Sequence, residues 1–156
     1  MEDDIVLRPM EQTDKEAVAA FFDSMDETGK RFFDIGGANR KVTMRFFDGS
    51  DTEPRKRFAA FLGKEMIGYV YLKETNRKIP WLGIAVSPKA RGKHLGKRLM
   101  DYAAGWAEER GYGGILLTTH KENEAGQRLY EKCGYEKLGV FSANGEYLYL
   151  LRFPRD

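Results

Sequence analysis

Hydrophobic and polar positions along the chain follow two periods, one typical of β-strands and one typical of α-helices. Short apolar runs bounded by turn residues predict strands over 5–10, 58–62, 66–72, 81–86, 114–119, 136–141 and 147–153. Leu99, Ala103 and Trp106 recur at helical spacing and predict a helix over 96–110, and Gly111 follows where a helix commonly ends. The pattern as a whole is typical of an α/β chain.

Two further helices and one irregular segment complete the predicted order. Asn123 is a favourable cap for a helix that runs through Cys133, and Thr13 or Asp14 would cap a helix near the N-terminus. Residues 24–53 are predicted to be irregular, with at most one short helix. The residues that interrupt this segment and its end are Gly36, Gly37, Asn39, Gly49 and Pro54.

Composition narrows the class of protein. With 42% hydrophobic and 13% aromatic residues, the chain of 156 residues fits one globular domain, 1–156. Its apolar runs are too short to span a bilayer and its start, "MEDD", is no signal peptide, so we predict a cytoplasmic protein without a membrane partner. The lone Cys133 excludes an intramolecular disulfide. Because only His94 and His120 could supplement it, we expect no metal site.

The net charge of +2 hides an asymmetry between the two parts of the chain. Residues 1–54 carry a net charge of −6, whereas residues 55–156 carry +8. Five basic residues cluster in "SPKARGKHLGKRLM", namely Lys89, Arg91, Lys93, Lys97 and Arg98. This excess is too small for a surface-wide nucleic-acid footprint, so we expect no nucleic-acid partner. The cluster is either one local anion site or a solvated charged face.

The basic segment joins a predicted strand to a predicted helix and contains two glycines. Unpaired backbone N–H groups at a helix N-terminus favour phosphate, and Gly92 and Gly96 would let the backbone approach a ligand closely. A nucleoside triphosphatase loop is disfavoured because only three residues separate the glycines and Lys97 is followed by Arg98. The segment therefore indicates a different phosphate-bearing ligand.

The same residues resemble the acetyl-CoA motif of the GCN5-related N-acetyltransferase (GNAT) superfamily, Arg/Gln-x-x-Gly-x-Gly/Ala. The positions of that motif are occupied by Arg91, Gly92, Lys93, His94, Leu95 and Gly96. His94 stands where the family usually has a glycine, which a histidine would tolerate only with negative φ. A second family motif, Asn-x-x-Ala-x-x-Leu-Tyr followed by Gly-Tyr/Phe, is similar to "NEAGQRLYEKCGY", with Gly126 at the usual alanine.

The resemblance implies a GNAT-like fold, a bent and mostly antiparallel mixed sheet of about seven strands with about four helices. Its fourth and fifth strands, here 81–86 and 114–119, would splay apart around the pantetheine of acetyl-CoA, the expected cosubstrate. Backbone groups of Ile84, Ala85 and Val86 would pair with pantetheine, and N–H groups over 91–97 would hold the pyrophosphate. The implied cofactor-binding residues of that segment are Arg91, Gly92, Lys93, His94, Leu95, Gly96 and Lys97, and the later motif adds Asn123 and Tyr130.

The resemblance also assigns catalytic roles. Tyr130 would protonate the departing thiolate, and the helical lean of side chains places it over Gly126, where a missing side chain would leave room for a ligand. The alternative for Tyr130 is an ordinary half-buried aromatic, and for Asn123 it is a helix cap alone. The two positions where family members commonly place a glutamate base are Pro80 and Thr118 in this chain.

His120 is the best remaining candidate for the base, because it shares a strand face with Thr118 and histidine exchanges protons near neutral pH. It is alternatively a plain surface residue at a strand end. Glu122 and Glu124 lie nearby in the sequence, and an ordered water chain would also suffice.

The implied activity is transfer of an acetyl group from acetyl-CoA to a primary amine, by direct attack in a ternary complex. Acidic residues after the first strand weakly favour a cationic acceptor; they are Asp23, Asp26, Glu27, Asp34, Asp48 and Asp51. The main alternative is a non-catalytic acyl-CoA sensor of the same fold. The segment "EYLYLLRF" would suit a homodimer interface or a core strand equally well.

Overall fold

The computed structural model describes residues 4–33 and 38–155 of the chain. The strands are β1 Ile5–Pro9, β2 Arg55–Leu62, β3 Glu65–Lys73, β4 Trp81–Val86, β5 Gly114–Thr119, β6 Glu136–Val140 and β7 Tyr147–Arg152. The helices are α1 Lys15–Asp23, α2 Glu27–Phe33, α3 Ala38–Asp48, α4 Leu95–Glu109 and α5 Glu124–Lys132. Both strands that the sequence predicted around the ligand, β4 and β5, have the predicted bounds, and α4 begins one residue earlier than predicted.

All seven strands form one sheet in the order β1-β2-β3-β4-β5-β7-β6. Every neighbouring pair is antiparallel except β4 and β5, which run parallel. Between the described residues, β4 and β5 share a single register pair, Trp81 with Leu116, so the two strands diverge beyond it. This is the mixed, mostly antiparallel sheet with a splayed centre that the sequence predicted.

Helices cover both faces of the sheet and bury its apolar side chains. On one face α4 places Leu95, Leu99 and Ala103 against a cluster that includes Val70 and Ile84. Leu99 is fully buried, and such burial stabilises the fold by roughly 1.5–3 kcal/mol per large aliphatic side chain. The centre of the sheet thus opens where β4 and β5 diverge.

The opposite face is covered by α1 and α3. Phe21 and Phe22 of α1 are buried there, and the Phe22 ring meets the Tyr69 ring edge-on at a centroid distance of 6.1 Å. Strand β7 pairs with β5 on one side and β6 on the other. The segment "EYLYLLRF" is thus an internal strand of the sheet.

The prediction that 24–53 is irregular was wrong, because α2 and α3 both lie within it. Val42 and Phe46 lie four residues apart, and α3 packs Phe46 and Phe47 against the buried cluster beneath α1. Gly49, which counted as an interruption, has φ +76° directly after α3 and ends the helix. Tertiary packing of the apolar stripe outweighed the local breakers. Asp34, Gly36 and Gly37 lie outside the described residues.

The predicted cap of the first helix takes another role. Asp14 precedes α1, but its carboxylate accepts a hydrogen bond from the Glu11 N–H at 2.7 Å and pairs with both outer nitrogens of Arg8 at 2.8 Å. The Arg8 hydrogen bonds hold the pKa of Asp14 below its usual value, against the opposing effect of burial. Within the described residues, no helix combines the length and apolar content of a membrane crossing.

Candidate functional site

A groove of about 560 Å³ opens where β4 and β5 diverge, between the loop that precedes α4 and the start of α5. Of the predicted cofactor-binding residues, those that line the groove are Ile84, Ala85, Val86, Arg91, Gly92, His94, Leu95, Gly96, Lys97, Asn123 and Tyr130. Lys93 lies exposed in the same loop and is absent from the lining among the described residues. Residues from four separate segments are thus brought to one surface.

The loop before α4 has two residues in the left-handed region. Gly92 has φ +81° and His94 has φ +59°. The condition under which a histidine would be tolerated without strain, a negative φ, is therefore not met. A non-glycine residue in this region costs roughly 1–2 kcal/mol, which the exposed His94 side chain does not worsen through crowding. Alternation of left- and right-handed residues turns successive N–H groups toward one side, which makes a concave anion site.

The first turn of α4 supplies the donors of this site. Arg98 N–H donates to the His94 carbonyl at 3.2 Å, which is the first helical hydrogen bond of α4. The N–H groups of Leu95, Gly96 and Lys97 precede that bond and face the helix N-terminus. With the positive end of the helix dipole behind them, they form a cradle for a phosphate group.

The basic cluster is largely neutralised by carboxylates. Arg91 makes two hydrogen bonds to Asp26, at 2.6 and 3.1 Å, and these hold the pKa of Asp26 below its usual value. Lys97 pairs with Asp101 at 2.6 Å, and Lys89 Nζ lies 2.9 Å from Glu65. The positive potential of the loop is consequently weaker than its sequence indicates, so an anion bound there would depend more on the backbone donors.

Tyr130 lies at the inner end of the groove, on α5. Its side chain is buried and packs edge-on against Tyr149, with ring centroids 5.8 Å apart. Burial raises the pKa of the phenol well above its usual value, while a hydrogen bond with the Thr119 side chain acts in the opposite direction. The phenol therefore carries its proton at neutral pH.

Asn123 joins Tyr130 to the helix start through a short network. The Asn123 Nδ2 group donates to Thr119 Oγ1 at 3.2 Å, and Asn123 Oδ1 accepts from the Gly126 N–H at 3.1 Å. The predicted cap is confirmed. A Cβ atom at Gly126 would lie 2.4 Å from Asn123 Nδ2, so the space beside Gly126 is filled by Asn123. The missing side chain of Gly126 therefore accommodates Asn123 in that direction, while Gly126 still lines the groove beside Tyr130.

A second cavity, of about 210 Å³, lies on the other side of Tyr130. Its outer wall includes Tyr71, Lys73, Trp81 and Thr118. It shares four lining residues with the groove, namely Phe32, Ile84, Ala85 and Tyr130. The two cavities therefore meet at the Tyr130 phenol and at the β4 backbone beside it.

His120 is not brought into either cavity by the described residues. Its ring packs against Phe32 with centroids 5.4 Å apart, and its Nδ1 atom accepts from the Glu122 N–H at 3.2 Å. Pro80 is buried, and its carbonyl accepts from the Leu116 N–H at 2.9 Å. Thr118 lines the second cavity. The role of His120 as a base stays a prediction.

Helix α2 bridges the two halves of the site, a role that sequence reasoning missed although it allowed a short helix in this segment. Asp26, just before α2, accepts from the Gly29 N–H at 2.9 Å while it holds Arg91 of the anion loop. Thr28 and Phe32 line the groove. The signal for a short helix was present in "DETGKRFF", but no local pattern indicates a pair such as Asp26 and Arg91, which lie 65 positions apart.

The acidic residues that favoured a cationic acceptor have other partners. Asp23 pairs with Arg40, Asp26 with Arg91, and Asp51 with both Arg55 and Arg57. Asp48 accepts from the Ser50 N–H, and Glu27 is exposed in the first turn of α2. Over 4–33 and 38–155, no carboxylate lines the groove or the second cavity.

Comparison with known proteins identifies relatives. The model of the acetyltransferase (GNAT) family matches residues 18–135. The streptothricin acetyltransferase of Escherichia coli is 32% identical over 94 residues, which are 60% of this chain and 54% of that protein. That of Streptomyces lavendulae is 30% identical over 116 residues, 73% of this chain and 60% of that protein. The matched part of the chain therefore spans just over half the length of these two relatives.

Solved structures share the fold. The GNAT domain of S. lividans PAT superposes with a TM-score of 0.82 at 19% identity, covering 94% of this chain and 89% of that one. The PaiA N-acetyltransferase from Thermoplasma acidophilum, solved in complex with coenzyme A, gives a TM-score of 0.74 at 17% identity, covering 96% and 99%. At this identity the likeness shows a common fold.

Proposed function

Because the chain belongs to the GNAT family of acetyltransferases, we propose that it transfers an acetyl group from acetyl-CoA to a primary amine. Direct attack in a ternary complex is the mechanism we infer. The observation that carries the proposal is the meeting of two cavities at Tyr130, with the anion cradle of α4 on one side only. A reaction of two bound substrates needs such a junction, because the thioester carbon and the amine nitrogen must come into contact there.

The groove suits a thioester cofactor with a diphosphate. The cradle at the start of α4 offers N–H donors to phosphate, and the divergence of β4 from β5 leaves the backbone of Ile84, Ala85 and Val86 beside an open slot. When bound, acetyl-CoA would supply an acetyl thioester as the electrophile. The chain's own part is to hold it at both ends and to place its thioester beside Tyr130.

Tyr130 is proposed as the general acid. Breaking the C–S bond leaves a thiolate that needs a proton, and the buried phenol keeps one at neutral pH. In the proposed arrangement Thr119 donates to the phenol oxygen, which leaves the phenolic O–H free for the sulfur. Asn123, which donates to Thr119, is a positioning residue in this arrangement.

The amine must lose a proton as its nitrogen bonds to the acetyl carbon. We propose that water in the open second cavity takes this proton, since no carboxylate among the described residues lines that cavity. His120 would act only through such a water, because its ring packs on Phe32 outside the cavities.

The test is release of CoA with a panel of primary amines, with the acetylated product identified by mass. Turnover that needs the amine is expected. Tight acetyl-CoA binding without turnover on any amine, unchanged in Tyr130→Phe, would contradict the proposal and favour the acyl-CoA sensor instead.

A further inference from the structure

The second cavity continues outward into a neighbouring one of about 290 Å³, lined mainly by β2, β3 and α3. The two share Asn39, Tyr69, Tyr71 and Lys73, and together we call them the acceptor cleft. Side chains at alternate positions of a strand share a face, so Tyr69, Tyr71 and Lys73 form one row along the cleft floor. The row runs from near Tyr130 to the outer end of the cleft.

The outer end of the cleft concentrates positive charge. Lys73 lies directly opposite Arg55 in the register of β2 and β3, and Arg57 lies opposite Tyr71. All three cations line the outer cavity. Like charges directly opposite each other on adjacent strands destabilise a sheet, so this arrangement carries a cost unless an anion lies between them.

One carboxylate near the cleft, Asp51, forms ion pairs with two of the three cations. Asp51 accepts from Arg55 at 2.9 Å and lies 2.5 Å from the outer nitrogen of Arg57. For Lys73, no carboxylate partner is found over 4–33 and 38–155. Glu53 and Glu74 line a neighbouring depression that Lys73 and Arg55 also line, but neither carboxylate lines the cleft, and Glu74 pairs with Arg77 at 3.0 Å. The cleft therefore has one cation in excess.

The phenols of the cleft floor do not offset this charge. The Tyr69 oxygen accepts from Arg57 Nε at 3.1 Å, and burial raises the pKa of Tyr69 to about 12. Tyr69 is therefore neutral under working conditions. A second amine on an acceptor would meet cations at the outer end of the cleft, whereas a carboxylate would meet a partner.

We propose that the acceptor is an amine that carries an anionic group at its far end, which Lys73 binds in the cleft. The inference rests on the proposed function and deepens it. Lys73 is opposite Trp81 in the register, and Trp81 is four residues, or ~13 Å, from Ala85 at the junction. The flexible side chain of Lys73 can reach back along part of that ~13 Å toward the junction. The amine and the anionic group of the acceptor are therefore separated by a chain of only a few carbon atoms.

The experiment compares three acceptors of one chain length, pentylamine, cadaverine and aminopentanoate with its amine at the far end. They differ only in a neutral, cationic or anionic terminus. The expected order of kcat/KM is aminopentanoate, then pentylamine, then cadaverine. The carboxylate should gain about three- to fivefold over pentylamine, as one exposed ion pair would give, and the gain should shrink with added salt.

Two substitutions test whether Lys73 causes the expected order of kcat/KM among the three acceptors. Lys73→Gln should bring the ratio of kcat/KM for aminopentanoate to kcat/KM for pentylamine close to one, and Lys73→Glu should reverse the order of aminopentanoate and cadaverine. Lys64→Gln, in the exposed turn between β2 and β3, is the matched control and should change neither. Preference of the wild-type protein for cadaverine, or an order unaffected by Lys73→Gln, would overturn the inference and leave the proposed function standing.

A binding measurement keeps the two claims separate. Pentanoate lacks an amine, and it should bind the CoA-loaded protein with an affinity that Lys73→Gln lowers, as measured by calorimetry. Pentanoate binding in the absence of any acetyl transfer would contradict the proposed function alone. Equal pentanoate affinity in the wild type and Lys73→Gln would contradict the role of Lys73.

Discussion

The groove and the acceptor cleft meet at Tyr130 but are built in different ways. The groove takes its shape from main chain, through the divergence of β4 and β5, the left-handed residues Gly92 and His94, and the first turn of α4. The cleft takes its shape from side chains that come from α2, α3 and strands β2 to β5. Backbone fixes the groove, whereas individual side chains fix the cleft.

This difference separates two functional properties. A cofactor held by backbone donors tolerates many side-chain changes, so its binding depends on a few positions where the backbone must approach closely. Under the proposed function, acceptor choice would depend on side chains that line the cleft, such as Lys73 and Tyr71, each replaceable alone. Substitutions in the groove should therefore alter cofactor affinity, and substitutions in the cleft should alter acceptor KM. Each variant below tests whether the two properties separate in this way.

The largest effect is expected for Gly96→Glu. A Cβ atom there would lie 3.1 Å from Leu129 Cδ2, and the new carboxylate would stand against a bound diphosphate at the start of α4. We expect CoA affinity to fall by at least about a hundredfold, or ~3 kcal/mol, in calorimetry. Gly105→Glu is the control on the same helix, because no atom lies within 4 Å of a Cβ there. Undiminished CoA binding by folded Gly96→Glu would break the assignment of the groove.

At the junction, Tyr130→Phe should lower kcat about a hundredfold, the usual contribution of a general acid, with CoA affinity nearly unchanged. Because burial raises the pKa of Tyr130 and its protonated form is the active one, the wild type should show no alkaline loss from this group below pH ~10. Single-turnover kinetics and a pH profile measure both.

Tyr135→Phe is the matched control for that variant. Tyr135 lies beside Tyr130, with ring centroids 6.3 Å apart, and its buried hydroxyl has no hydrogen-bond partner among the described residues. Removal of that hydroxyl should leave kcat unchanged and should not lower the free energy of unfolding. A loss of kcat equal to that of Tyr130→Phe would show that packing, and not proton donation, explains both.

Much of the groove could be predicted from the sequence because its parts are local. Gly92, Gly96 and the cap Asn123 lie at fixed spacings next to strands with clear apolar patterns. The bounds of β4 and β5 agree with the prediction for the same reason. The conformation of His94 could not be predicted, since a left-handed histidine depends on how the loop closes against α4.

The cleft could not be predicted, for a physical reason. Its residues come from segments far apart in the chain, and their meeting is decided by sheet register and helix packing, which no spacing encodes. The acidic residues after the first strand suggested a cationic acceptor. A count of charges, however, does not show which carboxylates form ion pairs within the protein. Asp26 and Asp51 turn out to neutralise Arg91, Arg55 and Arg57.

Beside the cleft, Asp51 and Arg57 form a buried ion pair. Asp51→Asn should therefore have the next largest effect, on the free energy of unfolding. The Arg57 side chain is only 4% exposed and would lose the charge that balances it. We expect the free energy of unfolding at pH 7 to fall by about 2 kcal/mol in urea, with CoA affinity of the folded protein unchanged. Glu65→Gln, which breaks the exposed pair with Lys89, should cost under ~1 kcal/mol.

The pH dependence of that loss follows from the pKa of Asp51. Burial alone would raise this pKa, but the hydrogen bond and charge of Arg57, with the charge of Arg55, hold it below its usual value. The stabilisation is therefore present above the unfolded pKa of about 3.9 and is lost as pH falls through the lower folded value. Wild type and Asp51→Asn should converge in stability toward acid pH. An equal difference at all pH values would contradict the charge argument.

The smallest effect is expected for Gly83→Ala, which tests whether the cleft can be changed without a change in the groove. Gly83 lies on β4 beneath the cleft, and a Cβ atom there would lie 2.4 Å from two ring atoms of Tyr71. Gly83→Ala should push that ring aside and raise acceptor KM about fivefold, or ~1 kcal/mol, with CoA affinity unchanged. In a double-mutant cycle, Tyr71→Ala with Gly83→Ala should resemble Tyr71→Ala alone, because the clash is then gone. If CoA affinity and acceptor KM changed equally, β4 would couple the two regions and their separation would fail.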